Sequence, residues 1–262
     1  MKRDIDGRRI LITGASSGIG RALAVKLAEA GAKLALVARG EDKLRELAAT
    51  LKTETLVLPA DVTSDSDRAR ILEQTQAKFG GLDVLVNNAG IASWAHFVDS
   101  SEEVMRQIME VNFFAPADLI RRAIPMLTAG CQPAFVNVAS MCGRRAMPAW
   151  PEYSASKFAL CGLTEALRGE LARFDIDILL IIPGLTKSDF PSHFLQTKGR
   201  AKIEFDKGMA PEEVAAGIVA SLRSNKTETV MGGEARRMLL MNKFFPRLTN
   251  WLVARKVRQL YS

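Results

Sequence analysis

The sequence predicts one α/β domain in which a doubly wound, parallel β-sheet is covered by helices on both faces. Two observations predict it. Short apolar runs rich in Val, Ile and Leu alternate with longer segments of helical period, as in chains of βαβ units. A glycine-rich turn separates the first run from the first helix. The apolar runs occupy 8–14, 33–39, 54–64, 82–90, 132–140, 176–185 and 227–233.

Length and composition fit a soluble protein with one large domain. The chain has 262 residues, of which 48% are apolar and 25% charged. No apolar run approaches the roughly 20 residues of a membrane span. The N-terminus has no signal-peptide core, and the three cysteines are scattered, so we expect a cytoplasmic protein. With only two histidines, no histidine-built metal centre is expected.

The net charge of +7 is concentrated in the tail. No acidic residue follows Glu234, whereas the rest of the chain carries equal numbers of acids and bases. The tail holds seven bases: Arg236, Arg237, Lys243, Arg247, Arg255, Lys256 and Arg258.

The first third has the order strand, glycine turn, helix, strand that is typical of dinucleotide-binding units. Glycines let the backbone approach a pyrophosphate, and the helix N-terminus offers free N–H groups. The spacing is G-x-x-x-G-x-G, and alone it also fits a plain tight turn. The candidate cofactor contacts in this turn are Gly14, Ser16, Ser17, Gly18, Ile19 and Gly20.

Arg39 ends the second apolar run, where an acid would bind the ribose hydroxyls of NAD. An arginine suits the additional phosphate of NADP, and the serines of the glycine turn supply hydroxyl donors to the same phosphate. Glu41 and Asp42 follow, but acids are favoured in the first turn of any helix. NADP is therefore the preferred cofactor, ahead of NAD.

Further polar residues lie at strand ends, where ligands gather in this architecture. Asp61 could accept from an adenine amino group, although a turn or N-cap acid is the alternative. The candidates at these ends are Asp61, Val62, Asn88, Ala89, Gly90 and Ser140.

Tyr153 and Lys157 are four residues apart in a helical segment, so both side chains leave one face. A cation near a phenol favours the phenolate and lowers its pKa toward the working pH. The alternative is a solvated lysine beside a half-buried tyrosine. Ser140 precedes this helix at a strand end, and Asn112 interrupts the apolar face of the long helix predicted over 101–127.

The ordered set of motifs resembles the short-chain dehydrogenase/reductase family, in its branch of about this length. The motifs are T-G-A-S-S-G-I-G, D-V, N-N-A-G, V-N, V-A-S and Y-S-A-S-K, and the resemblance spans Arg8 to Gly233. It implies a Rossmann-type fold and a hydride carried by the cofactor. It implies that Tyr153 is the general acid or base, that Lys157 lowers its pKa and holds the nicotinamide ribose, and that Ser140 binds the substrate carbonyl. Asn112 would hold a water that links Lys157 to solvent.

The resemblance also assigns cofactor contacts along the chain. It places Asp61 and Val62 at the adenine, and Asn88, Ala89 and Gly90 beside the adenosine. Pro183 and Gly184 would approach the nicotinamide. Ser188 takes the position of a threonine, while Thr186 lies where an apolar residue is usual and would bind the carboxamide through its backbone.

A lid and a tail complete the predicted organisation of a catalytic domain (1–233) and a helical extension (234–262). The lid, 185–209, carries Phe190, Phe194, Leu195 and Phe205, which favours a lipophilic substrate or alternatively anchors a surface loop. His193 is expected on the surface rather than at the substrate.

Apolar and basic residues alternate along the tail, with Trp251 and Tyr261 among them. Three roles are open: docking on a partner subunit beside the substrate pocket, lying on an anionic membrane, or a solvated helix. Nucleic acid is not expected, since the body of the chain has no basic excess.

The sequence thus favours an NADP(H)-dependent oxidoreductase that interconverts a ketone or aldehyde with an alcohol on a steroid-, retinoid- or acyl-lipid-like molecule. The alternatives are a 3-oxoacyl-carrier-protein reductase-like enzyme and a non-catalytic NADP-binding or membrane-associated protein. The resemblance implies a homodimer or homotetramer.

Overall fold

The strands and helices of the computed structural model alternate in the order that the sequence predicts, and the structure describes residues 3–187, 190–199 and 204–261. The strands are β1 (Arg9–Thr13), β2 (Lys33–Ala38), β3 (Thr55–Pro59), β4 (Val84–Asn87), β5 (Ala92–Trp94), β6 (Ala134–Val138), β7 (Asp177–Pro183), β8 (Phe194–Thr197) and β9 (Glu228–Met231). The helices are α1 (Gly18–Glu29), α2 (Glu41–Thr50), α3 (Asp65–Phe79), α4 (Glu102–Met109), α5 (Ala115–Thr128), α6 (Pro151–Glu170), α7 (Pro211–Ser224), α8 (Gly233–Phe244) and α9 (Pro246–Tyr261).

Seven strands form one parallel sheet in the order β3-β2-β1-β4-β6-β7-β9. The strand order reverses between β1 and β4, which opens a crevice at the C-terminal ends of the strands. This Rossmann-type architecture confirms the predicted fold class.

Alternate residues of the buried strands enter two apolar layers, because successive side chains point to opposite faces. Ile10 and Ile12 of β1 pack with α1, α2 and α7, while Leu11 packs on the other face with α3 and α5. Since both faces are covered, the strands appear in the sequence as continuous apolar runs.

Two strands were not predicted. β5 and β8 pair in parallel as a separate small sheet, with Ala92 opposite Phe194. β5 follows the end of β4, and β8 belongs to the predicted lid, so this pairing fixes the lid over the crevice. Each strand has only three or four residues, too few to show periodicity.

The predicted helix over 101–127 exists but contains a π-helical turn, Glu110–Phe114, between α4 and α5. A π-turn inserts one additional residue into the helical ladder and often marks a functional site. Here it turns Asn112 into the interior, where only 1% of the residue is exposed.

Candidate active site

Tyr153 and Lys157 lie on one face of α6, as the four-residue spacing predicted, and both are buried. Lys157 Nζ donates to the Val138 carbonyl over 3.0 Å and lies 5.8 Å from the centre of the Tyr153 ring. Ser140, just beyond β6, accepts the Cys142 N–H over 3.1 Å and lies close enough to the Tyr153 phenol to lower its pKa. The structure therefore brings the phenol, the hydroxyl and the ammonium together.

The pKa of Tyr153 differs in direction from the sequence-based expectation. Burial raises the pKa of the phenol well above its usual 10, the nearby Cys142 raises it further when ionised to the thiolate, and the Ser140 hydroxyl lowers it. The expected lowering by Lys157 is not found, because the ammonium hydrogen-bonds to the backbone instead of the phenol. Burial therefore holds Tyr153 as a protonated acid.

Burial also makes the Lys157 ammonium easier to deprotonate. It lowers the pKa of the ammonium from 10.5 to about 8, against the opposing effect of the Cys161 and Cys142 thiols. The same burial raises the pKa of Cys142 to about 11, so this thiol beside Ser140 stays protonated.

Asn112 is anchored by its side chain. Its Oδ1 accepts the Ile91 N–H, and its Nδ2 donates to the Ile91 carbonyl and to Ser156 Oγ, each over 2.9 Å. Ser156 in turn donates to the Tyr153 carbonyl over 2.8 Å. Both amide protons are therefore engaged, one with the Ile91 backbone and one with Ser156 of α6, and a water would have to bind at the remaining lone pair or at the backbone.

A buried polar chain fixes α6 on the sheet. Asn87 of β4 donates to Asn137 of β6 over 2.9 Å, and Asn137 donates to Thr164 of α6 over 3.0 Å. Because each partner lies on a different element, these hydrogen bonds fix the position of α6 along the ends of β4 and β6.

Hydrogen bonds that involve the side chains of Thr13 and Asn88 hold the glycine turn in place. Thr13 Oγ1 accepts the backbone N–H groups of Asn88 and Ala89, and Asn88 Nδ2 donates to the carbonyls of Thr13 and Gly14. The Asn88 side chain therefore shapes the turn, and sequence reasoning did not assign the matching role to Thr13.

A side chain at the last glycine of this turn would destroy its geometry. An added Cβ on Gly20 would lie 2.1 Å from the Gly14 carbonyl oxygen, so α1 can approach the turn only with glycine there. Ser17 caps α1 without using its hydroxyl on the first turn, which leaves that hydroxyl and the helix N-terminus directed at the crevice. This cradle fits a pyrophosphate.

Arg39 lies exposed at the same end of the crevice, next to Lys43. No carboxylate pairs with Arg39 among the described residues, since Glu41 is bound by Arg45 over 2.8 Å. Asp61 Oδ1 closes a turn with the hydroxyl of Thr63 over 2.8 Å, as the simpler interpretation predicted, and Oδ2 makes no further bond within the described chain.

One cleft of about 1550 Å³ connects these groups. Gly20 and Asn112 lie beneath its surface, and Ser188 lies outside the described residues. The sequence-predicted residues that line it are Gly14, Ser16, Ser17, Gly18, Ile19, Arg39, Asp61, Val62, Asn88, Ala89, Gly90, Ser140, Tyr153, Lys157, Pro183, Gly184 and Thr186. His193, expected on the surface, also lines the cleft.

The far half of the cleft carries a cluster of six rings, which we call the aromatic wall: Trp94, Trp150, Tyr153, Phe190, Phe194 and Phe205. Trp150 is its centre, with ring centres 5.2 Å from Trp94, 5.4 Å from Tyr153 and 5.3 Å from Phe194. The Tyr153 phenol is thus one member of an apolar surface. Neither tryptophan was predicted from the sequence, because Trp94 ends the three-residue strand β5 and Trp150 lies just before α6, and neither stretch is long enough to show periodicity.

The backbone of the lid is fastened to Trp94. The carbonyl of Trp94 accepts the N–H groups of Lys198 and Gly199 over 2.7 and 2.9 Å. Gly199 lies flat against the Trp94 indole, since an added Cβ would come within 2.2 Å of two ring atoms.

A buried carboxylate precedes Tyr153 in the sequence and was not predicted to be part of the site. Glu152 is 1% exposed, and its Oε2 accepts the Ser93 hydroxyl over 3.1 Å. This contact joins the start of α6 to β5, the strand on which the lid is fastened.

The tail folds back over the cleft of its own chain. Residues of α8 and α9 line the cleft opposite the aromatic wall: Met238, Met241, Thr249, Leu252, Val253, Lys256 and Val257. Within the described segments, no helix is long and apolar enough to cross a membrane, and no cluster of His, Cys, Asp and Glu is suited to a metal.

Comparison with known proteins places this geometry in context. A family model described as short chain dehydrogenase matches residues 8–198. An uncharacterised oxidoreductase of Bacillus subtilis is 34% identical over 251 residues, which span 93% of this chain and 70% of that protein.

Two solved structures share the fold. A short chain dehydrogenase from Burkholderia cenocepacia in complex with NADP has a TM-score of 0.82 at 25% identity, over 96% of this chain and 99% of that one. A 3-ketoacyl-(acyl-carrier-protein) reductase from Brucella melitensis complexed with NADH has a TM-score of 0.79 at 26% identity, over 88% of this chain and 99% of that one. Both structures hold a nicotinamide dinucleotide, which is NADP in the first and NADH in the second.

Proposed function

The chain belongs to the short-chain dehydrogenase family, and from that premise we propose that it is an NADP(H)-dependent oxidoreductase that interconverts a ketone or aldehyde with an alcohol on a lipophilic small molecule. One observation carries the proposal. Tyr153 belongs both to the polar group with Ser140 and Lys157 and to the aromatic wall. A carbonyl that reaches the phenol must therefore bring an apolar body against the rings.

The residues divide the chemistry between them. The cofactor supplies or accepts the hydride when bound. Tyr153, protonated because it is buried, gives its proton to the carbonyl oxygen in reduction and takes it back in oxidation. Ser140 donates a hydrogen bond to the same oxygen, and so stabilises the charge that develops there.

Lys157 is the nearest cation to the phenol, 5.8 Å from its ring centre. With a pKa of about 8, it keeps most of its charge at neutral pH and can transfer a proton close to that pH. We assign to Lys157 the return of a proton to the Tyr153 phenolate and the binding of the nicotinamide ribose. Asn112 fixes the geometry around these two residues.

The preference for NADP over NAD rests on Arg39. The arginine lies at the crevice end with Lys43 beside it and without a carboxylate partner among the described residues. Ser16 and Ser17 line the same end. Two cations and two hydroxyl groups suit a phosphate on the adenosine ribose.

A 3-oxoacyl-carrier-protein reductase is the second candidate, favoured by the likeness to the Brucella melitensis enzyme. The tail argues against it, because α8 and α9 line the cleft and would narrow the way in for an acyl chain delivered by a carrier protein. A small, free substrate fits the closed wall better.

We further propose a catalytic domain over 1–233 with the helical extension 234–262, acting in the cytoplasm as a homodimer or homotetramer. Phe114, in the π-turn between α4 and α5, and Phe158, in α6, are 52% and 43% exposed and would be covered by a partner subunit.

The test is a screen of carbonyl compounds and alcohols with the full-length enzyme, in which NADPH absorbance is followed. Aromatic and long-chain ketones should turn over with higher kcat/KM than short polar ones. Equal rates for apolar and polar substrates would refute the lipophilic assignment, and turnover of carrier-bound thioesters alone would support the second candidate.

A further inference from the structure

The two C-terminal helices have two different faces. The inner face lines the cleft, through residues such as Met241 and Val253. The outer face, which we call the outer tail face, holds exposed bulky apolar residues and bases. Its apolar members are Leu240, Phe244, Phe245, Leu248 and Trp251, and its bases are Arg236, Arg237, Lys243, Arg247, Arg255 and Arg258.

Large apolar side chains are unusually exposed on this face. Phe244, Phe245 and Trp251 are 65%, 61% and 52% exposed. Soluble proteins rarely expose apolar groups of this size next to each other unless something covers them. The same face carries no acidic side chain, since none follows Glu234 in the sequence.

We propose that the outer tail face binds the surface of an anionic lipid bilayer. Helices that lie in the interface between water and lipid combine bulky apolar and aromatic residues with lysine and arginine. Here the two kinds are in contact: Arg255 lies 5.3 Å from the Trp251 ring centre and Lys243 lies 5.7 Å from that of Phe244. The rings can enter the headgroup layer while the cations stay at the phosphates.

A second copy of the chain fits this face less well. In a two-fold dimer the same patch meets itself, so the six bases of one subunit would oppose the six of the other without an acid between them. A negatively charged bilayer supplies the missing countercharge and the apolar medium together.

The placement also gives the cleft a side that faces lipid. Leu252 lies at the border between the cleft and the outer tail face, since it lines the cleft and is 39% exposed. Substrate delivery rests on the proposed function: the bilayer would supply a lipophilic substrate that enters the cleft past α9. The binding of lipid itself does not depend on any enzymatic activity.

Co-sedimentation of the full-length protein with lipid vesicles tests the proposal. One set of vesicles is phosphatidylcholine alone, and the other contains equal parts of phosphatidylcholine and phosphatidylglycerol. We expect binding to the second set only, weakened by salt. Arg247→Gln with Arg258→Gln removes two charges, and at about fivefold per base the partition coefficient should fall about 25-fold.

The matched control neutralises two exposed lysines outside the tail, Lys52→Gln with Lys226→Gln, which precede the edge strands β3 and β9 at the end of the sheet opposite the cleft. It makes the same change in net charge and should bind vesicles as the wild type does. A second readout is the emission of Trp251, which should shift to the blue on anionic vesicles and lose that shift in Trp251→Phe.

The outcomes are separable. Equal binding to both vesicle types, equal losses in the two double variants, or sedimentation of a dimer in which Trp251 is already shielded from quenchers without lipid would each overturn the proposal. These measurements involve no turnover, so a failed search for substrates would bear on the proposed function and leave this inference standing.

Discussion

The two ends of the cleft are built in different ways. At the cofactor end, strand termini and the glycine turn are held by side-chain hydrogen bonds from the buried Thr13 and Asn112 and the half-buried Asn88. At the substrate end, the wall consists of ring contacts, a two-stranded sheet and the tail, and lid positions such as Leu195 are 38% exposed. The difference indicates that the reaction is fixed by the sheet, whereas the choice of substrate belongs to segments that can change without disturbing it.

The largest effect on turnover is expected at Tyr153, which is the residue where the two ends of the cleft meet. Tyr153→Phe keeps the ring and removes the proton, so kcat should fall by about 10²–10⁴. Cofactor affinity, measured by NADPH fluorescence, and thermal stability should stay unchanged. Turnover close to that of the wild type would remove Tyr153 from the mechanism.

A change at Arg39 should affect only the cofactor end. Arg39→Asp replaces a cation by an anion, and loss of a charged hydrogen bond of about 2.5 kcal/mol corresponds to about a 70-fold fall in the ratio of kcat/KM for NADPH over NADH. The KM for the carbonyl substrate should not change. An unaltered ratio would contradict the assignment of the phosphate site.

A pair of glycine variants separates the two ends directly. Gly20→Ala forces a Cβ onto the Gly14 carbonyl, so stability should fall by about 1–3 kcal/mol and cofactor affinity should fall with it. Gly199→Ala pushes the lid off the Trp94 indole, so kcat/KM for the substrate should fall by about tenfold while cofactor affinity stays constant.

Gly169→Ala is the control for this pair, because a Cβ there meets no atom within 4 Å. It should leave both affinities unchanged. If Gly199→Ala weakened the cofactor as much as Gly20→Ala, the two ends would not be independent.

The smallest expected effect concerns stability and its dependence on pH. The folded pKa of Lys157, about 8, lies below its ordinary value of 10.5, so between these values the unfolded chain binds more protons than the folded one. The stability of the wild type relative to Lys157→Met should therefore be constant below pH 8 and rise as pH increases toward 10.5, by at most about 1.4 kcal/mol per pH unit. Urea titrations on both sides of pH 8 measure it, and a difference that stays flat across this window would show that the ammonium is not desolvated.

Much of the cofactor end could be predicted from the sequence. Helical and strand periodicity placed the seven strands of the main sheet, and the four-residue spacing placed Tyr153 and Lys157 on one face. These signals are local, since they depend on residues within one or two turns of each other. The roles assigned to the individual cofactor contacts remain predictions.

The substrate end could not be predicted in the same way. Trp94 and Trp150 meet across 55 intervening residues, and their contact depends on β5 pairing with the lid. The π-turn at Asn112 depends on the Ile91 backbone of another segment. Neither leaves a periodic pattern in the chain.

The sequence by itself determined the parallel sheet, the glycine turn and the set of reactive side chains, because periodicity, backbone freedom and chemical type are properties of short stretches. The tertiary structure decided that the tail lines the cleft of its own chain and that two short strands fasten the lid. It also decided that the pKa of the Tyr153 phenol is higher than the neighbouring lysine would suggest. Burial and distant contact set these three features, and both depend on segments that meet only after the chain has folded.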